Sequence, residues 1–308
     1  MKKMTNLFIA SYHRPENLKT VYLFLSLGWE PKKITVFIDD ETDDKFLYEK
    51  ECARLGINLH VFSMDEARKR YDNVHRPSIS RRNVGQAQNM MQEYAKERGI
   101  DFYLEQDDDS VSFEIKKFGR YVRVADAETI LKVFEDIEAF MRKRRIGLFG
   151  LSQTGDYIGG DNKSHYIRKV MNTKFYLLPY LNRGEKGVLD VDTSQYVGLW
   201  NEGYFTGSCA DGVVLHQMSS ATQVGGLTDT YVENKLLKKS LVTVIQYPSA
   251  IVATKQVKNG GRLHHLINYR YLAPRLLKVP GGRDNIAWDT YPEDVPFTNE
   301  PKRLKNHG

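Results

Sequence analysis

The chain has 308 residues, 41% of them hydrophobic, which is enough for a real core, and no run approaches the roughly eighteen consecutive apolar residues of a membrane-spanning helix. Lys and Arg total 45 against 39 Asp and Glu, a formal charge of +6 that is compatible with a polyanionic partner without requiring one. Two cysteines, Cys52 and Cys209, exclude a disulfide framework or a Cys-rich zinc site and read as small buried hydrophobes of a reducing, cytosolic setting.

Leu7-Phe8-Ile9-Ala10-Ser11 reads as a short buried strand, and Tyr12-His13-Arg14-Pro15 as the turn after it. Pro15 and Gly28 frame a helix over 16–27, with Leu18, Val21, Tyr22 and Leu25 sharing one face. A second buried strand over 34–38 closes on Asp39-Asp40, and a charged helix over 43–55, Gly56 and a third strand over 58–62 follow. This alternation predicts a parallel sheet with helical crossovers. Residues 64–77 read as irregular, after which Ser78 or Ser80 caps a helix that runs to 98 and stops at Gly99. Arg81, Arg82 and Asn83 fall in its first turn, where N–H groups and cations either meet a phosphate or face solvent.

The next strand, Phe102-Tyr103-Leu104-Glu105-Gln106, ends in Asp107-Asp108-Asp109. Three adjacent carboxylates repel one another, so the cluster is either a solvated acidic turn or a seat for a hard divalent cation such as Mg²⁺ or Mn²⁺. Position favours the cation, because an α/β sheet binds ligands beyond the carboxyl ends of its strands. A basic helix start leading into that strand adds the second sign of charge that a metal-bound diphosphate requires.

Farther on, a helix over 127–145 turns Ile130, Leu131, Phe134, Ile137 and Phe140 inward, and its final Arg142-Lys143-Arg144-Arg145 suits the negative end of the helix dipole. Strands over 146–151 and 170–178 flank a polar, glycine-rich loop at 154–164, read as mobile and near an acceptor. Asp190 and Asp192 then precede a helix ending at Gly203, where they either cap it or point into the site. From 254 to 308, ten Lys and Arg stand against five Asp and Glu, and the prolines beyond 273 predict irregular chain.

The order of these pieces resembles the GT-A glycosyltransferases, in which a nucleotide-sugar lies across a sheet and an acidic motif holds its diphosphate through a metal. The resemblance covers roughly the first two-thirds of the chain. It implies an α/β, GT-A-like (Rossmann-type) mostly parallel sheet flanked by helices over 1–230, with 231–308 as a basic C-terminal extension. By the same resemblance Ser11, His13, Arg14, Asp39 and Asp40 surround the nucleoside of a UDP-sugar, and Arg81-Arg82-Asn83-Val84-Gly85 is the Arg-Asn-x-Gly helix start. Asp107-Asp108-Asp109 is then the DxD motif: Asp109 holds Mn²⁺ or Mg²⁺, with Asp107 and His216 as further ligands, while Asp107 and Asp108 also face the donor. Asp192, or Asp190, becomes the catalytic base.

Among these enzymes the TET-associated glycosyltransferases are similar at Asp190-Val191-Asp192, at Leu215-His216-Gln217 and at Gly225-Gly226. That similarity implies a hydroxymethylated pyrimidine in phage DNA, such as 5-hydroxymethylcytosine, as the acceptor, and host cytoplasm as the setting. Lys255, Lys258 and Arg262 are the residues expected on DNA phosphates, with His264, His265, Tyr269 and Tyr271 available for stacking. Two other classes stay open. A nucleotidyltransferase uses a similar carboxylate-held metal, and a catalytically inactive DNA-binding module is disfavoured by the intact Asp triplet.

Overall fold

The computed structural model describes residues 4–70, 84–117, 120–153, 169–171, 173–181, 184–186, 190–204, 206–209, 213–217, 237–256, 262–268 and 271. In chain order the elements are β1 (Asn6–Ala10), α1 (Lys19–Ser26), β2 (Ile34–Asp39), α2 (Lys45–Leu55), β3 (Asn58–Phe62), α3 (Met64–Arg70) and α4 (Val84–Glu97). They continue with β4 (Phe102–Asp107), β5 (Ser110–Lys117), β6 (Arg120–Arg123), α5 (Ala127–Arg144), β7 (Leu148–Gly150), β8 (Ser152–Gln153) and β9 (Thr173–Leu177). The last are α6 (Val191–Asn201), β10 (Thr206–Ser208), β11 (Val213–Gln217), α7 (Leu237–Gln246), β12 (Ile251–Gln256) and β13 (Arg262–Ile267).

Seven strands form the central sheet in the order β10-β7-β9-β4-β1-β2-β3. All neighbours are parallel except β9, which runs antiparallel to both β4 and β7. The mostly parallel, helix-flanked sheet expected from the alternating pattern is therefore what forms. Side chains along a strand point alternately to its two faces, and this divides the core. Leu7, Ile9, Leu104 and Phe175 meet Val21 and Phe24 of α1, Tyr48 of α2 and Phe134 and Ile137 of α5. Phe8, Phe37, Tyr103 and Tyr176 meet Ala67 of α3, Met91 and Ala95 of α4 and Leu199 of α6.

The order of strands fixes where a ligand can enter. From β1 the chain steps outward through β2 to β3, then returns to lay β4 on the other side of β1. The crossovers on either side of that reversal lie on opposite faces of the sheet, which opens a crevice beyond the carboxyl ends of β1 and β4. The Ser11–Arg14 and Asp107–Asp109 segments both leave the sheet at this point.

Several local expectations change. Asn17 N–H bonds to the Arg14 carbonyl in a turn, so α1 begins at Lys19, and its buried residues are Thr20, Val21, Leu23 and Phe24 while Tyr22 is 39% exposed. Part of the segment read as irregular is α3, whose Asp65 and Glu66 begin it and whose Arg68, Lys69 and Arg70 end it, in accord with the helix dipole. Gly56 and Gly99 do stop α2 and α4, at φ of 68° and 62°. Ser78 and Ser80 lie outside the described residues, as do 154–168.

The Asp triplet does not open into a loop but turns at once into β5, part of an unanticipated four-stranded sheet, β6-β5-β11-β8. The irregular chain expected beyond 273 lies outside the described residues. α7 leads into an antiparallel β12–β13 pair, and Ala250 and Ile251 pack on Tyr196, Val197 and Trp200 of α6. The expected boundary near 230 lies outside the described residues. Among the described residues, no helix is long and apolar enough to cross a membrane.

Candidate active site

Ala10 and Asp107 are partners in the β1–β4 register, and the turns that follow them are locked together. Asp108 Oδ2 accepts from Ser11 Oγ at 2.6 Å and Oδ1 from Arg14 Nη1 at 2.8 Å. Tyr48 Oη lies 2.8 Å from Ser11 Oγ and accepts the Arg14 N–H at 3.0 Å. Thr20 Oγ1 donates to the Asp107 carbonyl at 2.5 Å and accepts the Ser110 N–H at 2.9 Å. Burial pushes the Asp108 carboxyl above the usual range, while Arg14 and Ser11 pull against it. Three residues expected at the donor, Ser11, Arg14 and Asp108, thus hold one another and set the position of the triplet turn.

The remaining donor-side residues are spread along the same edge. His13 adopts a left-handed backbone at φ 55°, with its ring 3.9 Å from that of Tyr12 and its Nδ1 3.4 Å from Asp44. Asp39 accepts the Glu41 N–H at 3.0 Å, and Asp40 accepts the Met64 N–H at 2.9 Å at the start of α3. Arg81, Arg82 and Asn83 lie outside the described residues.

Glu105 and Asp107 share the face of β4 that carries Tyr103, the side covered by α4 and α6. Because β9 runs antiparallel to β4, Lys174 falls directly opposite Glu105. Its side chain is 1% exposed, and its Nζ lies 2.8 Å from Asp192 Oδ1, 3.3 Å from Glu185 Oε1 and 4.0 Å from Glu105 Oε1. Burial alone would lower the lysine pKa, but Asp192, Glu185 and Glu105 outweigh it and hold the ammonium protonated.

Neighbours brace the carboxylates in turn. Gln88 Nε2 donates to Glu105 at 2.5 Å, Tyr176 Oη to Glu185 at 3.0 Å, and Asn89 bonds the Glu185 backbone through both its amide oxygen and its amide nitrogen. Burial is the largest effect on Glu185 and, despite Lys174, leaves its pKa pushed up to about 7. Asp192 is the open member of the cluster, its side chain 30% exposed. Asp190 goes elsewhere: it is the N-cap residue of α6 at φ 55°, its side chain makes no capping bond, and its Oδ2 lies 2.8 Å from His265 Nδ1.

Asp107 feels the most crowding. Burial first, then Asp109, Asp192, Asp108 and Glu105, hold its pKa well above the carboxylate range. A divalent cation relieves such crowding. Among the described residues no three His, Cys, Asp or Glu side chains form a complete metal cage. Mg²⁺ and its close analogues do not need one, since they take one or two carboxylates and complete their shell with water and substrate phosphates. Asp107 and Asp109 fit that requirement.

The backbone of His216 pairs with Ser112, placing it one strand over from the start of β5, while its side chain lies outside the description. Lys255 and Arg262 are opposite Leu263 and Gln256 in the β12–β13 pair; their side chains, and all of Lys258 and Tyr269, lie outside it. His264 and His265 stack on each other at 4.5 Å, and Tyr271 is exposed. The sequence reading passed over Lys174 and Glu185. The signal for Lys174 was available: one cation inside Thr173-Lys174-Phe175-Tyr176-Leu177, an otherwise buried strand, is a position lysine seldom takes unless paired.

No protein-family model matches the chain, and no curated protein matches it. Similar solved structures include glucosyl-3-phosphoglycerate synthase from Mycobacterium tuberculosis in complex with Mg²⁺ and uridine diphosphate, at 9% identity and a TM-score of 0.44, over 86% of this chain and 88% of that one. The same synthase with Mn²⁺, UDP-glucose and phosphoglyceric acid is 10% identical with a TM-score of 0.44, over 86% of this chain and 87% of that one. At this distance the likeness transfers neither activity nor residue roles.

Proposed function

We propose that this chain is a metal-dependent glycosyltransferase that moves a sugar from a nucleotide-sugar, a UDP-sugar, to a hydroxymethylated pyrimidine in DNA. One observation carries the reading. At the switch point Asp107 ends β4, crowded by Asp109 just beyond it and by Asp192, a partly open carboxylate in the first turn of α6. Asp107 and Asp109 would hold Mn²⁺ or Mg²⁺, which when bound neutralises the charge that grows on a departing diphosphate. The turn from Ser11 to Arg14, clamped by Asp108 and Tyr48, provides a rigid wall for the nucleoside. Asp192 takes the proton of the acceptor hydroxyl as its oxygen bonds to the sugar carbon and the bond from that carbon to the diphosphate breaks.

DNA as the acceptor draws support from charge and from position. The β12–β13 pair that carries Lys255 and Arg262 is tied through His265 to Asp190, two residues ahead of Asp192, so a duplex held there lies on the acceptor side. A phage-encoded enzyme of this kind would work in host cytoplasm. The test is mass spectrometry of nucleosides from hydroxymethylated DNA incubated with the protein, Mn²⁺ and a panel of nucleotide-sugars. The expected result is a mass gain of one sugar residue on the modified base, absent without metal. Pyrophosphate release from a nucleoside triphosphate would replace this reading with nucleotidyl transfer, and DNA binding without any donor turnover would replace it with an inactive binding module.

A further inference from the structure

Lys174 is an expensive residue for the centre of a sheet, since a buried ammonium must recover its desolvation from close partners. Its shortest contact, 2.8 Å, is to Asp192, the most exposed member of the cluster and one close enough to Asp107 to raise its pKa. Its other contacts are to groups that cannot move freely. Glu185 is gripped by Asn89 and Tyr176, and Glu105 by Gln88. Rigid strand and helix contacts therefore run from α4 through Glu185 to the ammonium, and from the ammonium to Asp192. Asp192 sits in the first turn of α6, where a carboxylate has competing uses, and the lysine selects one of them.

We infer that Lys174 is the positioning residue of the site: its ammonium aims the Asp192 carboxylate into the crevice, and Glu185 holds the ammonium in place. This rests on the reading of Asp192 as the group that receives the acceptor's proton. It adds the device that orients that group. A proton-accepting carboxylate works only within hydrogen-bond reach, and a misplacement of roughly 1 Å costs about a hundredfold in rate.

The test compares wild type, Lys174→Gln, Glu185→Gln and the double variant in steady-state sugar transfer at varied donor concentration. Lys174→Gln is expected to lower kcat about a hundredfold while donor KM changes by less than about twofold, because the carboxylate it aims acts on the acceptor. Assayed above pH 7, where Glu185 is ionised, the double variant removes one buried charge of each sign and so restores the charge balance lost in Lys174→Gln. It is expected to fold better than Lys174→Gln, which a urea midpoint checks, and to remain equally slow. Recovery of kcat in the double variant would mean that Lys174 only offsets charge, which overturns the inference. So would a further loss when Lys174→Gln is added to Asp192→Asn, since two residues acting as one unit are not additive. A wild type that transfers no sugar from any donor overturns the glycosyltransferase reading and the positioning role together, whereas an active wild type with an unimpaired Lys174→Gln overturns the role alone.

Discussion

Asp108 and Asp109 are adjacent in the chain and are expected to do different work. Both oxygens of Asp108 are taken by Ser11 and Arg14 in a largely buried pair, so Asp108→Ala removes a buried charge-assisted bond and is expected to cost about 2–3 kcal/mol. A urea midpoint equal to wild type would disprove that role. Asp109→Asn instead relieves the repulsion around Asp107, so the fold should be at least as stable while metal-dependent donor turnover is lost; undiminished turnover at limiting Mn²⁺ would take Asp109 out of the metal site. Glu185 gives the chain a pH signature. Its folded pKa is about 7 against an ordinary 4.5, chiefly through burial, so the folded state keeps a proton that the unfolded state has released. Stability should therefore fall as pH rises from 4.5 to about 7 and level off above, and Glu185→Gln should flatten that stretch of the curve. Urea midpoints measured across the window decide it, and identical profiles for the two proteins would rule it out.

At the scale of elements, β9 is the strand on which the site depends. Its antiparallel direction beside β4 places Lys174 across from Glu105, and its other edge is held by β7. Gly147, just before β7, accepts the Leu177 N–H at 2.9 Å and approaches the turn after β9 so closely that a Cβ there would lie 2.4 Å from the Tyr180 carbonyl oxygen. The obstacle is backbone and cannot rotate away. Gly147→Ala is expected to lose about 1–3 kcal/mol and, by shifting β7 against β9, to slow transfer as well. A full-length variant with wild-type melting and turnover would show that this edge yields more easily than its packing implies. α6 has a comparable part, with Asp192 on the cluster, Asp190 on His265, and Tyr247 Oη donating to the Ser194 carbonyl at 3.2 Å.

For the whole molecule, the formal charge of +6 predicts only a general attraction to polyanions. Lys255, Lys258 and Arg262 make that prediction specific. If they neutralise DNA phosphates, affinity falls steeply with salt, and replacing all three by Ala should reduce the slope of log K against log salt by up to about 2 to 3 units. Binding of one hydroxymethylated duplex at several salt concentrations, with wild type and triple variant in parallel, checks this. An unchanged slope would move the DNA contact to another surface.

By itself the sequence determined the alternation of strands and helices as far as β4 with α3 missed, the glycine stops at 56 and 99, the inward face of α5 and the arrival of Asp107–Asp109 at a strand's carboxyl end. These follow from hydrophobic period and turn chemistry, which act within a few residues. The sheet containing β5 and β11 escaped the reading because strands about a hundred residues apart pair through partners that no local pattern names. So did the inward clasp of Asp108 and the parting of Asp190 from Asp192. Only the tertiary structure joined Glu105, Lys174, Glu185 and Asp192. Backbone pairing of β4 with β9 and the packing of α4 and α6 on one face of the sheet brought these four together, and a buried charge takes its meaning from the neighbours that pay for its desolvation.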